Sequence, residues 1–495
     1  MTPLRLNLFL FILTAAAFAW IGFAHARREK SVRDYFHHAD LFKNAVSLTA
    51  SNISLGTGLV YLVSGAQQNG LLMLLPVLAV GVGYWLLAAF IEHASSVAAR
   101  TGKNYLGGVD EEISKATGER SLFAKAVSLS LIVVFVLLLE FEIFASAKVI
   151  SPLLFASPTV HVQVALSVGV FCITVLYAVL GGVSATFGVD VIQVPLICLF
   201  LPALVVTAIP DWSHPAELAR RLQASVKLEH SVLIAVAIAT INALSTQFYS
   251  LLNWGALSNV EIGKQKTLLR WVGVATTGVL AIFVLVGLLH SGGNASQTWQ
   301  DIVGRFSLVG TSTSPRAFLL SALVMLGMAS VLLTTTDAVV VNCILFWHDN
   351  LSGADSKADE SDPGALHRIR RAGAITFGAC FAILCAINFL QPDPFYLLLS
   401  MAGGVVVFAP MIVTVGLLSK RPGGLRMFSR RVVGVFVGLF VAAGVADVVL
   451  LSRGSRLVPY IGLAAFLAAS LLCLVLWKIG SSVVDERGSR GGGDP

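Results

Sequence analysis

With 495 residues, 56% of them hydrophobic and only 12% charged, and a mean hydropathy of +0.83, the chain lies far from the balance of a soluble globular protein. Its formal charge of +7 is spread over alternate loops instead of one patch, which points to membrane topology and away from a nucleic-acid partner. The six cysteines (Cys172, Cys198, Cys343, Cys380, Cys385 and Cys473) fall inside apolar runs without CxxC spacing, so buried packing is expected of them and not a disulfide or a metal site.

Apolar stretches repeatedly exceed the roughly 18 to 20 residues that carry a helix across about 30 Å of hydrocarbon, and they predict an all-α polytopic membrane protein with about 13 transmembrane helices in a lipid bilayer. The first span runs from Leu4 to Phe23 and the second from Phe42 to Val63. The others centre near Val80, Phe135, Val170, Phe200, Ala243, Leu280, Ala329, Phe381, Val406, Phe440 and Leu467. After the first span, Ala24-His25-Ala26 has the form of a signal-peptide cleavage site, but the Arg27-Arg28-Glu29-Lys30 cluster behind it resists translocation and favours a retained helix. Basic residues follow the first span (Arg27, Arg28, Lys30, Arg33), the third (Arg100, Lys103), the seventh (Lys264, Lys266), the ninth (Lys357, Arg368), the eleventh (Lys420, Arg421) and the last (Lys478, Arg487). This asymmetry predicts a multi-pass protein of a cell inner membrane with its N-terminus outside and its C-terminus in the cytoplasm. No loop exceeds about 25 residues, so function must reside in the membrane core, and the tail from Gly488 to Pro495 reads as flexible.

Several spans carry polar residues that a lipid-facing helix would not. The second has Ser47, Thr49, Ser51, Asn52, Ser54, Gly56, Thr57 and Gly58, with Gln67, Gln68 and Asn69 near its outer end. Small hydroxylated residues fit a close-packed helix interface. They equally fit a helix unwound in mid-membrane, whose freed carbonyls and hydroxyls bind a hard cation such as Na⁺. In the fourth span, Glu140 and Glu142 lie deep in the membrane and point about 200° apart, so at most one of them lines a central site. One of the pair either packs protonated, or binds a cationic group of a solute or takes a proton; Lys148, two turns beyond Glu140, is a possible partner. Between the fifth and sixth spans, Gly181-Gly182 reads as a turn and Asp190 as a residue near a helix start. The ninth span contains Thr334-Thr335-Thr336-Asp337 behind Ala329-Ser330-Val331; such hydroxyls can bond the carbonyl one turn back, so packing and binding both stay open. His348-Asp349, with no third ligand nearby, reads as a solvated helix end. The chain has no phosphate-binding loop, no HExxH and no GxSxG, so neither an ATP-driven pump nor an enzyme is supported, and no cofactor is expected.

The stretch from Tyr177 through Gly181-Gly182 and Asp190 to Gln193 resembles the sodium:solute symporter pattern Tyr-x-x-x-Gly-Gly-x-x-Ala-x-x-x-x-Asp-x-x-Gln. Ala50-Ser51-Asn52-Ile53-Ser54 is similar to that family's first core helix, Thr246-Gln247-Phe248 through Ser258-Asn259-Val260-Glu261 to the end of the sixth, and Thr334 through Asp337 to the Ser-Ser/Thr-x-Asp of the eighth. Phe408-Ala409-Pro410 with Leu418-Ser419-Lys420-Arg421 loosely resembles the end of the tenth. The matches run in order from about Asp34 to Arg421.

The resemblance implies a leucine-transporter-type fold, a single transmembrane transporter domain with two inverted five-helix repeats around a midplane site. Residues 1–40 would form an extra N-terminal helix and loop, 41–208 the first repeat, 230–421 the second, 422–480 two C-terminal helices and 481–495 a flexible tail. It further implies Na⁺ as coupling ion, held by the carbonyls of Ala50, Ile53 and Val331 and the hydroxyls of Thr334 and Thr335, with Asp190 on the inward sodium path. Solute would lie near Asn52, Asn242, Thr246 and Gln247; Gln67 and Glu140 complete the expected solute-binding set. The aromatic gate of sugar-transporting relatives is replaced by Asn242-Ala243, and Thr246 stands where they have Asn. The expected function is therefore sodium-coupled uptake of a small organic solute, an amino acid or small carboxylate ahead of a sugar. The alternatives are a membrane solute sensor working with a separate partner, or a proton-coupled symporter.

Overall fold

The structure of the protein is a computed structural model that describes residues 3–28, 31–36, 40–101, 104–155, 158–208, 229–290, 302–304, 314–351, 363–390, 407–419, 424–453 and 458–490. Every regular element among these residues is helical. In chain order, α1 spans Pro3–Ala26, followed by the short Val32–Phe36 helix. Next come α2, Leu41–Ser51, a π-helical segment Gly56–Val63 and α3, Ser64–Asn69. The first half continues with α4, Leu74–Thr101, α5, Tyr105–Thr117, α6, Phe123–Leu154, and α7, Val160–Ala208. The second half has α8, His230–Tyr249, α9, Leu251–Ser258, α10, Gln265–Leu289, α11, Pro315–Phe346, α12, Pro363–Leu390, and α13, Phe408–Leu418. It closes with α14, Arg430–Ser452, and α15, Val458–Arg490.

Each span expected from hydropathy falls on one of these helices, although much of the one centred near Val406 lies outside the described residues. The 48-residue stretch Val160–Thr207 is two crossings, because at 1.5 Å per residue one straight helix would reach about 72 Å. The turn is made at Gly182, where φ is 51° and ψ is −151°. A Cβ at that position would lie 2.5 Å from the Tyr35 carbonyl oxygen, so both backbone conformation and close approach require glycine. α5 is shorter than a crossing; Asn104 caps it by accepting from Gly107 N at 2.8 Å, and Gly118, at φ 73°, ends it. The tail expected to be flexible starts as helix, since α15 continues to Arg490.

α11 packs against α7, α6, α1 and α2, and α4 packs between α8 and α10. Their contact surfaces make one continuous apolar core. The outer surface is apolar as well, with Trp20, Trp85, Trp271, Leu471 and Val448 exposed, as lipid contact demands. Three cysteines depart from the expected burial: Cys172, Cys198 and Cys385 lie on that outer surface, where an apolar run meets lipid as readily as it packs inside.

Candidate functional site

The first core helix is interrupted after Ser51. Thr49 and Ser51 hydroxyls donate to the carbonyls of Ala45 (2.7 Å) and Ser47 (2.8 Å), and Asn52 Nδ2 donates to Leu48 O (2.6 Å). This back-bonding competes with the backbone ladder and loosens the turn. Ile53 N still reaches Ala50 O at 3.0 Å. The groups freed beyond it find other partners, as buried backbone must. Leu55 N donates to Glu142 Oε1 at 2.8 Å and Gly56 N to Glu142 Oε2 at 3.1 Å, while the Ile53 carbonyl accepts from Thr335 Oγ1 at 2.9 Å. The sixth core helix breaks too: Ser250, with extended backbone at φ −70° and ψ 116°, separates α8 from α9 and caps the latter through Asn253 N.

Of the five expected sodium ligands, the structure joins three directly. Thr335 Oγ1 lies 2.9 Å from Ile53 O across the helix pair and 3.2 Å from Val331 O in its own helix. Ala50 is the penultimate residue of α2, and its carbonyl accepts from Ile53 N at 3.0 Å. Thr334 is fully buried; its hydroxyl reaches Ser330 O at 2.9 Å and meets the Gln193 side-chain oxygen of α7. The donor set is carbonyl and hydroxyl oxygen throughout, the chemistry that suits a hard monovalent cation.

Behind Thr334 lies an acidic network. Asp190 is on α7, one turn before Gln193, and is hydrogen-bonded by the Ser47 hydroxyl of α2. It is close enough to Asp337 for the two carboxylates to interact electrostatically. Asp337 Oδ2 accepts from Tyr177 Oη at 2.7 Å. Asp190 Oδ1, Asp337 Oδ1 and Gln193 Nε2 have no hydrogen-bond partner among the described residues. Buried polar atoms left open beside an oxygen cluster mark a place suited to an ion or water.

A cavity of about 260 Å³ opens between the two broken helices. Asn52, Asn242, Thr246 and Gln247 all line it, as expected from the sequence, together with Thr335. Within it, Thr246 Oγ1 bonds Asn242 O at 2.7 Å and Tyr249 Oη at 3.1 Å. Gln247 Oε1 accepts from Asn253 Nδ2 at 3.1 Å, and Asn253 Oδ1 accepts from Tyr84 Oη at 2.9 Å, so Gln247 also braces the break at Ser250.

Two members of the expected solute-binding set lie elsewhere. Gln67 donates to the His290 carbonyl at 3.3 Å near the end of α10 and is not part of the lining. Glu140 is fully buried beside Cys380 of α12, away from the cavity, and neither of its carboxylate oxygens has a partner among the described residues. The carboxylate that faces the cavity is Glu142, on the same face of α6 as Leu138 and Phe135. Spacing allows at most one of the two glutamates to line the cavity; only the packing of α6 against the break at Ile53 shows that one does, and which. Tyr61, Tyr249 and Thr276 also line the cavity without having been singled out by the sequence.

A second, smaller cavity of about 40 Å³ is lined by Asn44, Ser47, Thr186, Asn259 and Asn342. Ser51 and Leu252 line both cavities.

No protein-family model matches the sequence, and no curated protein matches it. Among solved structures, the chain is similar to the substrate-bound outward-open state of a Na⁺-coupled sialic acid symporter, with a TM-score of 0.64 and 14% identity, over 95% of this chain and 98% of that one. MhsT in complex with L-phenylalanine aligns with a TM-score of 0.49 and 14% identity, over 89% of this chain and 98% of that one. The first of these likenesses, spanning nearly the whole of both chains, shows that the fold is of the leucine-transporter type.

Proposed function

We propose that this chain is a secondary active transporter that couples inward movement of Na⁺ to uptake of a small organic solute across an inner membrane, with its C-terminus in the cytoplasm. The observation that carries this reading is the hydrogen bond from Thr335 to Ile53 O, which places three expected sodium ligands in one cluster at a helix break, with Thr335 also lining the 260 Å³ cavity. A hydroxyl carries one proton and two lone pairs, so the oxygen that donates to Ile53 can accept a cation once its proton turns away. Na⁺ between α2 and α11 would hold the two helices together and favour one packing of the core. Its departure past Asp190 would release that packing, so the coupling rests on differential affinity for two states. The smaller cavity, which shares Ser51 with the larger one and contains the Ser47 partner of Asp190, supports an exit on that side.

The test is thermal stabilisation of the purified protein by a panel of small metabolites, in Na⁺ or in K⁺, for the wild type and Thr334→Ala/Thr335→Ala. A hit that requires Na⁺ and disappears in the double variant is the expected result. A hit indifferent to Na⁺ and to both threonines would move the assignment to proton coupling or solute sensing.

A further inference from the structure

A membrane helix broken in its middle presents N–H groups that can receive the anionic end of a solute. Here those groups already have a partner. Leu55 N and Gly56 N donate to Glu142 Oε1 at 2.8 and 3.3 Å, Ser146 Oγ adds a donor at 3.3 Å, and Gly56 N also lies 3.1 Å from Oε2. Gly56 makes this close approach possible: a Cβ there would lie 2.7 Å from Oε2 and 2.6 Å from the Phe141 ring. The protein's own carboxylate thus fills the position that a solute carboxylate would take.

Four groups donate to this carboxylate, Leu55 N, Gly56 N, Ser146 Oγ and the Ser54 hydroxyl, and they fix it on a side chain that lines the cavity. Among the described residues no lysine, arginine or histidine lines that cavity, and its walls include Val77, Val80, Val134, Phe135 and Leu280. An acidic oxygen in an apolar cleft is stabilised by a cation and opposed by a second anion. Tyr61 and Tyr249 add aromatic surface of the kind that attracts a cation.

We infer that the transported solute carries a cationic head, an ammonium or related group, on an apolar body, with Glu142 as its counter-charge. This rests on the reading of the cavity as the solute site. A solute with only a negative charge, such as the small carboxylate expected from the sequence beside an amino acid, would meet a like charge and find the backbone donors taken.

Three probes share one apolar body and differ in charge: 2-phenylethylamine, 2-phenylethanol and 3-phenylpropionate. Their binding to the purified full chain in Na⁺ is measured for the wild type and Glu142→Gln, with K⁺ replacing Na⁺ in a parallel series. The amine is expected to bind at least about tenfold tighter than either analogue in the wild type. In Glu142→Gln that preference collapses while the Na⁺-dependent thermal shift persists, which shows that the variant is folded and its cation site intact. Should Glu142→Gln not yield folded protein, the wild-type ranking decides alone. The inference is overturned if the acid or the alcohol matches the amine, if the amine does not bind at millimolar concentration, or if its binding is unchanged in Glu142→Gln. Amine preference without any Na⁺ dependence would instead overturn the coupling and leave the charge assignment standing.

Discussion

Thr335→Val separates a cation ligand from a packing residue at one atom. Valine matches threonine in shape, so the surroundings of this buried side chain are kept while Oγ1 is removed. Two interactions go: the 2.9 Å bond to Ile53 O and the 3.2 Å bond to Val331 O. Leaving the Ile53 carbonyl without its donor lowers stability by about 1 to 3 kcal/mol irrespective of Na⁺. The second effect appears only with the ion. Na⁺ at about 100 times its Kd stabilises the wild type by about 2.7 kcal/mol; a tenfold weaker site lowers that to about 1.4 kcal/mol. The assay is the melting temperature of the purified protein titrated with NaCl at constant ionic strength, K⁺ making up the difference. The expected outcome is a lower baseline and a Na⁺ response shifted about tenfold to higher concentration. Thr336→Val is the control, because Thr336 Oγ1 meets Thr174 Oγ1 at 3.3 Å on α7 and takes no part in the cluster. A Thr335→Val titration that superimposes on the wild type would refute a sodium site at this place, whatever happened to the baseline.

Three further outcomes follow from the same geometry. Gly182→Ala forces a side chain onto a backbone at φ 51° and into the Tyr35 carbonyl, so folded yield and melting temperature should fall by the equivalent of about 2 kcal/mol or more; Gly169→Ala, with nothing within 4 Å of its added methyl, should leave both unchanged or slightly raised. Tyr177→Phe removes the 2.7 Å donor to Asp337 and should lower stability by about 1 to 3 kcal/mol in a melting experiment. Lys266→Ala breaks the pair with Glu92 on the exposed surface and should not measurably move the melting temperature, since solvent screens both charges.

Much of the architecture is legible in the residues. Hydropathy places the spans because a lipid-crossing helix needs a fixed length of apolar residues, and a run of that length has few other uses. Gly181-Gly182 announces the turn inside a continuous apolar stretch because φ near 51° excludes other residues at little cost only to glycine. α5 leaves no signal in a hydropathy profile because its 13 residues are too few to cross a bilayer and include Asp110, Glu111, Glu112 and Lys115. The hydroxyl clusters at Ser47–Ser54 and Thr334–Thr336 stand out because polar groups at membrane depth must be satisfied by something.

The sequence alone therefore determined the membrane class, the span order and the two hydroxyl-rich segments that meet at the helix break. Each depends on the chemistry of residues near one another in the chain. Only the tertiary structure decided which of two glutamates serves the cavity: Glu142 meets the N–H groups of Leu55 and Gly56, and Glu140 is turned toward Cys380. It likewise decided that Gln67 belongs to the α10 end and Asn52 to the cavity. The physical reason is that helical periodicity fixes the angle between two side chains but not which of them faces the partner helix. That choice is made by residues about ninety positions away in the chain.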